Sequence, residues 1–115
     1  MEPVLQISEA RVEGDALVLE PRGEIDAASA KDLRAALDDA AATGARKVIL
    51  DLGGVTFVDS RGLTVMVAAH EKLEARGSRL ITVCADPFVR KLFEITGMYR
   101  VLRIIESRHD AAVAA

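Results

Sequence analysis

Hydrophobic and polar positions follow two different periods along this chain. Residues 4–12 alternate weakly between apolar and polar side chains, as in a strand with one buried face. A turn signal follows at residues 13–15, and residues 16–20 form a second short run rich in Leu and Val. Two such runs around a glycine-containing turn predict a β-hairpin at the start of the chain.

The stretch after the hairpin has the spacing of a helix. Leu33 and Leu37 stand four residues apart and therefore share one helix face. Asp26 is a predicted N-cap, and Gly44 is a predicted C′ residue. The pattern predicts a first helix over residues 27–43.

Three further apolar runs predict strands that alternate with helices. They lie at residues 48–52, 79–84 and 99–105, and the first two are typical of strands covered on both faces. Alternation of strand and helix implies a mixed sheet that contains parallel pairs. We therefore expect an α/β fold with one mixed sheet of four to five strands and about four helices, in a single domain over residues 1–115.

Start and stop signals mark the remaining helices. Helical spacing returns over residues 63–73, and Gly77 ends it. Asp86 and Pro87 form a cap followed by proline at the first helical position, and Gly97 stops that helix. A short terminal helix is predicted over residues 107–113.

Composition and charge exclude several function classes. The 115 residues carry a formal net charge of -3, which disfavours binding to nucleic acid or to an anionic membrane. The single Cys84 excludes an internal disulfide and a cysteine zinc cage, and it is expected to be a small buried hydrophobe. Without a signal-peptide start or a membrane-length apolar run, the chain is expected to be cytoplasmic. The sequence predicts no catalytic constellation, metal or cofactor.

Candidate chemistry lies where strands of an open α/β sheet end. The second predicted strand ends near residues 23–26, and the next one ends near residues 53–60, so these ends contain Asp26, Asp59 and Ser60. If these strands are parallel and adjacent, the three side chains share one edge. Ser60 would also sit at or next to the N-cap of the following helix, where unpaired N–H groups and the helix dipole suit an anion.

Phosphorylation would change this edge strongly. A phosphate on Ser60 would add about -1.5 to -2 charges at neutral pH. The helix N–H groups would hold it, next to the carboxylates of Asp59 and Asp26. A partner packed over the edge would then meet a bulky group with an unpaired charge. Ser60 is therefore a candidate binary switch, with plain helix capping as the alternative interpretation of both Ser60 and Asp26.

These residues lie in blocks that resemble the STAS domain, in particular bacterial anti-sigma factor antagonists. The similar blocks cover residues 23–30, residues 48–52 with 55–63, and residues 80–84 with 89–98, and the second contains the Asp-Ser-x-Gly-Leu motif at residues 59–63. The blocks follow the family's order over nearly the whole chain. The resemblance implies a STAS-type fold, a mixed sheet with helices on one side.

The resemblance also implies a function. In the family, a partner anti-sigma factor of the serine kinase type phosphorylates the serine of the Asp-Ser block. The unphosphorylated antagonist binds that kinase, so a sigma factor is released, and a phosphatase reverses the modification. By position Ser60 is the implied phosphoacceptor in a protein expected to be a monomer. The implied partner-binding residues are Asp26, Asp59, Ser60, Arg61, Gly62 and Leu63.

Two positions depart from the family pattern, and alternative functions stay open. Arg61 and Thr64 stand where many members carry small residues. Arg61 could contact a phosphate on the partner, neutralise a phosphorylated Ser60, or select one kinase by charge. A STAS scaffold or transporter-associated subunit without phosphorylation switching is an alternative function. A small enzyme or nucleotide-binding domain is a third, although no catalytic pair or phosphate loop is visible.

Overall fold

A computed structural model of the protein describes residues 5–8 and 10–114. Within these residues the chain forms eight strands and four helices, in the order hairpin and then strand–helix alternation. The strands are β1 (Leu5–Ile7), β2 (Arg11–Glu13), β3 (Ala16–Leu19), β4 (Pro21–Ile25), β5 (Lys47–Asp51), β6 (Gly54–Val58), β7 (Arg79–Val83) and β8 (Arg103–Ile105). The helices are α1 (Ala30–Ala42), α2 (Ser60–Ala75), α3 (Pro87–Thr96) and α4 (Arg108–Val113).

The predicted mixed sheet is confirmed. It has five strands in the order β2-β3-β5-β7-β8, with β2 antiparallel to β3 and the other neighbours parallel. The hairpin turn lies at Gly14, whose φ of +64° is easy for glycine. A second sheet, in the order β1-β4-β6, is present as well and was not predicted. One residue, Glu20, separates β3 from β4, and Pro21 is the first residue of β4, a strand position that tolerates the missing N–H.

Two apolar layers lie on the two faces of the five-stranded sheet. The helices α1, α2 and α3 cover one face, where Leu33, Met66 and Phe93 are fully buried against the strands. The short helix α4 covers the other face and buries Ala111 over Val18, Ile49, Ile81 and Val83. The expectation of helices on one side therefore holds for the three long helices and not for α4. Among the described residues, every helix is too short or too polar to cross a lipid bilayer.

The start of the first helix differs from the prediction. The helix begins at Ala30, and its N-cap position is Ser29, so the assignment of Asp26 as the N-cap of this helix is wrong. The carboxylate of Asp26 instead accepts hydrogen bonds from the N–H groups of Ala28 and Ser29, at 3.0 Å each. Asp26 therefore caps the turn that precedes α1. Gly44, with φ +78°, is confirmed just after the C-cap.

The last predicted strand is shorter than expected. In place of a strand from residue 99, the chain forms a 3₁₀ turn at Met98–Arg100, and only Arg103–Ile105 is strand. The turn begins at Gly97, whose φ of +73° ends α3. The Tyr99 ring packs edge-on against Phe93, with centroids 6.4 Å apart, and this contact holds the turn against the core.

Candidate functional site

The second sheet brings the two predicted strand exits together. Strands β4 and β6 are parallel neighbours, and Ile25 lies opposite Val58 at their carboxyl ends. The N–H of Asp59 continues the pairing by donating to the Ile25 carbonyl at 2.9 Å. Asp26 and Asp59 therefore leave adjacent strands at equivalent positions, as the sequence predicts from parallel strands sharing one edge.

Asp59, rather than Ser60, caps the helix that starts at this edge. One oxygen of the Asp59 carboxylate, Oδ1, accepts from the N–H groups of Arg61 at 2.9 Å and Gly62 at 3.2 Å. Ser60 is the first residue of α2 and is exposed. Its carbonyl accepts a hydrogen bond from the Thr64 hydroxyl at 2.9 Å. The alternative in which Ser60 is a plain capping residue is therefore wrong, and its hydroxyl is accessible.

The same contacts change the expected surroundings of a phosphate. From the sequence, helix N–H groups are expected to hold a phosphate on Ser60. Two of those groups, on Arg61 and Gly62, already donate to the Asp59 carboxylate. Added negative charge at Ser60 would therefore stand beside the Asp59 carboxylate without these two donors, which favours a strongly anionic edge.

Gly62 and Leu63 have structural tasks in the motif. A Cβ at Gly62 would lie 2.5 Å from Ile25 Cγ2 and 3.0 Å from Val58 Cγ1, so only glycine allows α2 to pack this closely on β4 and β6. Leu63 is buried and joins the main core. Both residues are predicted to bind a partner. Their burial indicates that they pack between the start of α2 and the core and so hold Ser60 in position.

Arg61 projects from the first turn of α2 and is exposed. Among residues 5–8 and 10–114, no carboxylate lies within 4.0 Å of its guanidinium. The nearby acidic side chains, Asp26 and Asp59, accept backbone N–H groups instead. Arg61 therefore presents an exposed cation next to Ser60, without an ion pair to any described residue.

The turn before α1 is held by a residue that the sequence analysis missed. Ser29 is buried, and its hydroxyl donates to the Glu24 carbonyl at 2.9 Å while accepting from the Asp26 N–H at 2.9 Å. These bonds fix the position of the Asp26 carboxylate. The available signal was a possible capping residue, Asp26, followed by a serine three residues later. At this spacing each side chain can accept a hydrogen bond from the N–H group of the other residue.

Sequence reasoning also missed an apolar groove on the same side of the molecule. Its exposed members are Phe57 on β6 and Phe88 and Ile95 on α3. The available signal was that Phe88 and Ile95 extend the apolar face of α3 beyond the buried Val89 and Phe93, so this face is wider than the core contact requires.

The remaining candidate groups take no part in this edge. Cys84 is confirmed as buried, and its burial raises the pKa of the thiol above the ordinary value. Within the part of the chain that the structure describes, no three His, Cys, Asp or Glu side chains come together as metal ligands. The chemistry offered by the edge is thus that of the accessible Ser60 hydroxyl, two carboxylates and one guanidinium.

Comparison with known proteins identifies the class. The STAS domain family matches residues 8–111, and the chain belongs to that family. It is 35% identical over 82 residues to the anti-sigma-B factor antagonist of Listeria monocytogenes, covering 71% of this chain and 72% of that protein.

Solved structures of this class are similar to the whole chain. The crystal structure of an anti-sigma factor antagonist from Mycobacterium paratuberculosis has a TM-score of 0.84 at 25% identity, covering 93% of this chain and 90% of that one. The Bacillus cell fate determinant SpoIIAA in its phosphorylated form has a TM-score of 0.66 at 25% identity, covering 93% and 95%.

Proposed function

We propose that this protein is a cytoplasmic anti-sigma factor antagonist whose binding to an anti-sigma factor is switched off by phosphorylation of Ser60. The observation that carries the proposal is the accessible Ser60 hydroxyl, which Asp59 relieves of helix capping. The names of the Listeria and Mycobacterium relatives support the antagonist function, and the phosphorylated form of SpoIIAA supports the modification. The partner is a serine kinase-type anti-sigma factor, and a phosphatase reverses the step. The proposal gives the protein itself no catalytic activity.

The switch works by charge and bulk. In the unmodified protein Ser60 offers a neutral hydroxyl that can donate and accept hydrogen bonds. Transfer of a phosphoryl group from ATP to the Ser60 oxygen releases ADP and the hydroxyl proton, and adds about -1.5 to -2 charges next to Asp59. A partner fitted to the neutral edge then faces repulsion and an unpaired charge, which weakens the complex.

Phosphorylation and binding test the proposal together. Candidate kinase-type anti-sigma factors from the same genome are incubated with the protein and ATP, followed by intact-mass measurement and pull-down. We expect one added phosphate on the wild type and none on Ser60→Ala. The Thr64→Ala variant, which removes another exposed hydroxyl in the same helix turn, should still gain one phosphate.

Binding should follow the charge at residue 60. We expect Ser60→Ala to bind the anti-sigma factor like the unmodified protein and Ser60→Glu to bind more weakly, because its carboxylate adds negative charge at the edge. The loss should be smaller than the loss on phosphorylation, since a carboxylate carries less charge than a phosphate. Equal binding by the wild type, Ser60→Ala and Ser60→Glu, with no phosphate on Ser60, would overturn the switch and favour an unswitched STAS module.

A further inference from the structure

An apolar groove lies between β6 and α3, with a volume of about 240 Å³. Phe88 and Ile95 on its wall are 75% and 73% exposed, and Phe57 is 42% exposed. Clustered large apolar side chains at a surface mark interaction sites more often than isolated ones do. The groove-lining residues are Phe57, Val58, Phe88, Val89, Lys91, Leu92 and Ile95.

The fold does not need the exposed members of this groove. Helix α3 uses Val89 and Phe93 for the core, at 2% and 0% exposure, so Phe88 and Ile95 point away from it. The chain has three phenylalanines, and two of them, Phe57 and Phe88, line the groove. An aliphatic protein that places most of its phenylalanine at one exposed site indicates a binding surface there.

The groove adjoins the candidate switch. Phe57 and Val58 directly precede Asp59 and Ser60 along the chain. Phe88 lies in the first turn of α3, and α3, like α2, starts at the carboxyl end of a strand that runs parallel to its neighbours. A partner that covers Ser60 and extends over this edge therefore contacts the groove first at Phe57 and Val58 of β6.

We propose that the groove is the second half of the partner interface and takes apolar side chains of the same anti-sigma factor that covers Ser60. This inference rests on the proposed function, and it adds which surface of the protein supplies the affinity for the anti-sigma factor. A stable complex buries about 800 Å² on each partner, from roughly 20 to 30 residues. Ser60, Asp59, Asp26 and Arg61 are far fewer and polar, so the interface must extend over neighbouring surface.

The groove supplies what the edge lacks. Binding energy concentrates in buried aromatic and apolar anchors, while charges at the rim mainly set specificity. Phe88 and Ile95 act as anchors, and Ser60 controls whether they are reached. Lys91 lies at the groove, and among the described residues it pairs with Glu94 alone, at 3.8 Å, which favours an acidic residue beside the partner's anchor.

The test separates affinity from switching. Binding of purified anti-sigma factor is measured by calorimetry for Phe88→Ser and Ile95→Ser, each in the wild-type and in the Ser60→Ala chain. We expect each substitution to weaken binding at least tenfold in both backgrounds, because the loss does not depend on phosphorylation. The control is Val113→Ser on α4, a residue 70% exposed but on the other face of the sheet, which should bind normally.

The outcomes distinguish this inference from the proposed function. Normal binding by Phe88→Ser and Ile95→Ser, together with weak binding by Ser60→Glu, overturns the groove and leaves the switch intact. Weak binding by the groove variants, with equal binding by all Ser60 variants, retains the groove and overturns the switch. Sedimentation analysis of the free protein tests whether a second copy of this chain occupies the groove. A wild-type dimer that is lost in Phe88→Ser would assign the groove to that copy and refute the inference. Unchanged circular dichroism melting shows that the variants fold.

Discussion

At the scale of single residues, two neighbouring side chains at the start of α2 have different roles. The helix needs an acceptor for its first N–H groups, and the Asp59 carboxylate provides it for Arg61 and Gly62. Ser60 is left with an accessible hydroxyl. Loss of an N-cap typically costs about 1 kcal/mol, and that cost falls on changes at Asp59 and not at Ser60.

A methyl group at Gly62 should disturb this start. In Gly62→Ala the new Cβ would meet Ile25 Cγ2 at 2.5 Å, so α2 must shift away from β4. We expect a loss of about 1–3 kcal/mol in the free energy of unfolding, which is typical of overpacking, measured by urea denaturation. Thr64→Ala, at an exposed position of the same turn, is the control and should change stability by less than about 0.5 kcal/mol. Equal stability of Gly62→Ala and wild type would contradict the packing account.

The sequence could predict which residues meet at the edge, but not how they divide the work. Strand–helix alternation places Asp26, Asp59 and Ser60 at carboxyl ends of strands. Asp and Ser are both favoured N-caps, so the pattern alone leaves Asp59 and Ser60 equivalent. The same ambiguity led to Asp26 as the cap of α1, where Ser29 holds that position.

At the scale of secondary-structure elements, α4 depends on a distant lysine. Lys47, at the start of β5, is 5% exposed, and its Nζ donates to the carbonyls of Ala111, Ala112 and Ala114 at 2.8–2.9 Å. A helix of six residues is not stable alone in water. The lysine therefore satisfies the carbonyls at the end of α4 and fastens the helix to the sheet.

Removal of that ammonium group should loosen α4 selectively. Lys47→Met keeps most of the side-chain volume and leaves three carbonyls without their donor, so we expect faster amide exchange across Arg108–Val113. The expected loss in unfolding free energy is about 1–3 kcal/mol. Lys72→Met is the control, because Lys72 pairs with Asp38 at the surface, where an ion pair contributes about 0–1 kcal/mol. Unchanged protection of α4 in Lys47→Met would show that the lysine does not hold it.

Element prediction succeeded where local signals suffice. Asp86 caps α3 as predicted, and Ser107 caps the terminal helix predicted over residues 107–113, because each side chain acts on N–H groups two or three residues away. The Lys47 contacts join residues 64 to 67 positions apart, and no local pattern reports them. The strand expected over residues 99–105 failed because the packing of Tyr99 on Phe93 favours a 3₁₀ turn.

At the scale of the whole molecule, the candidate switch and the groove lie on the surface at one edge. The Ser60 side chain is exposed, and the net charge of -3 rises in magnitude by roughly 1.5 to 2 on phosphorylation. A modified protein should therefore keep its fold and lose its partner.

Thermal denaturation of the phosphorylated protein checks this separation. We expect its free energy of unfolding to lie within about 1 kcal/mol of the unmodified value, because the helix dipole at the N-terminus of α2 offsets part of the repulsion from Asp59. Ser60→Ala treated with kinase and ATP is the control. Loss of cooperative unfolding on phosphorylation would mean that the switch acts by unfolding and not by surface charge.

The fold class was predictable at this scale, and the division into two sheets was not. Alternating strands and helices require parallel crossovers, which predict the mixed five-stranded sheet. The three-stranded sheet depends on breaks of one or two residues, Glu20 between β3 and β4 and Leu52–Gly53 between β5 and β6. In the sequence, an apolar run that continues across such a short break has the pattern of a single strand.

The position of α4 at the end of the chain order has a consequence for folding. Every strand of the five-stranded sheet precedes α4 along the chain, so Val18, Ile49, Ile81 and Val83 gain their cover only when the last helix folds onto them. A folding intermediate that lacks α4 would therefore expose an apolar surface that the folded molecule covers.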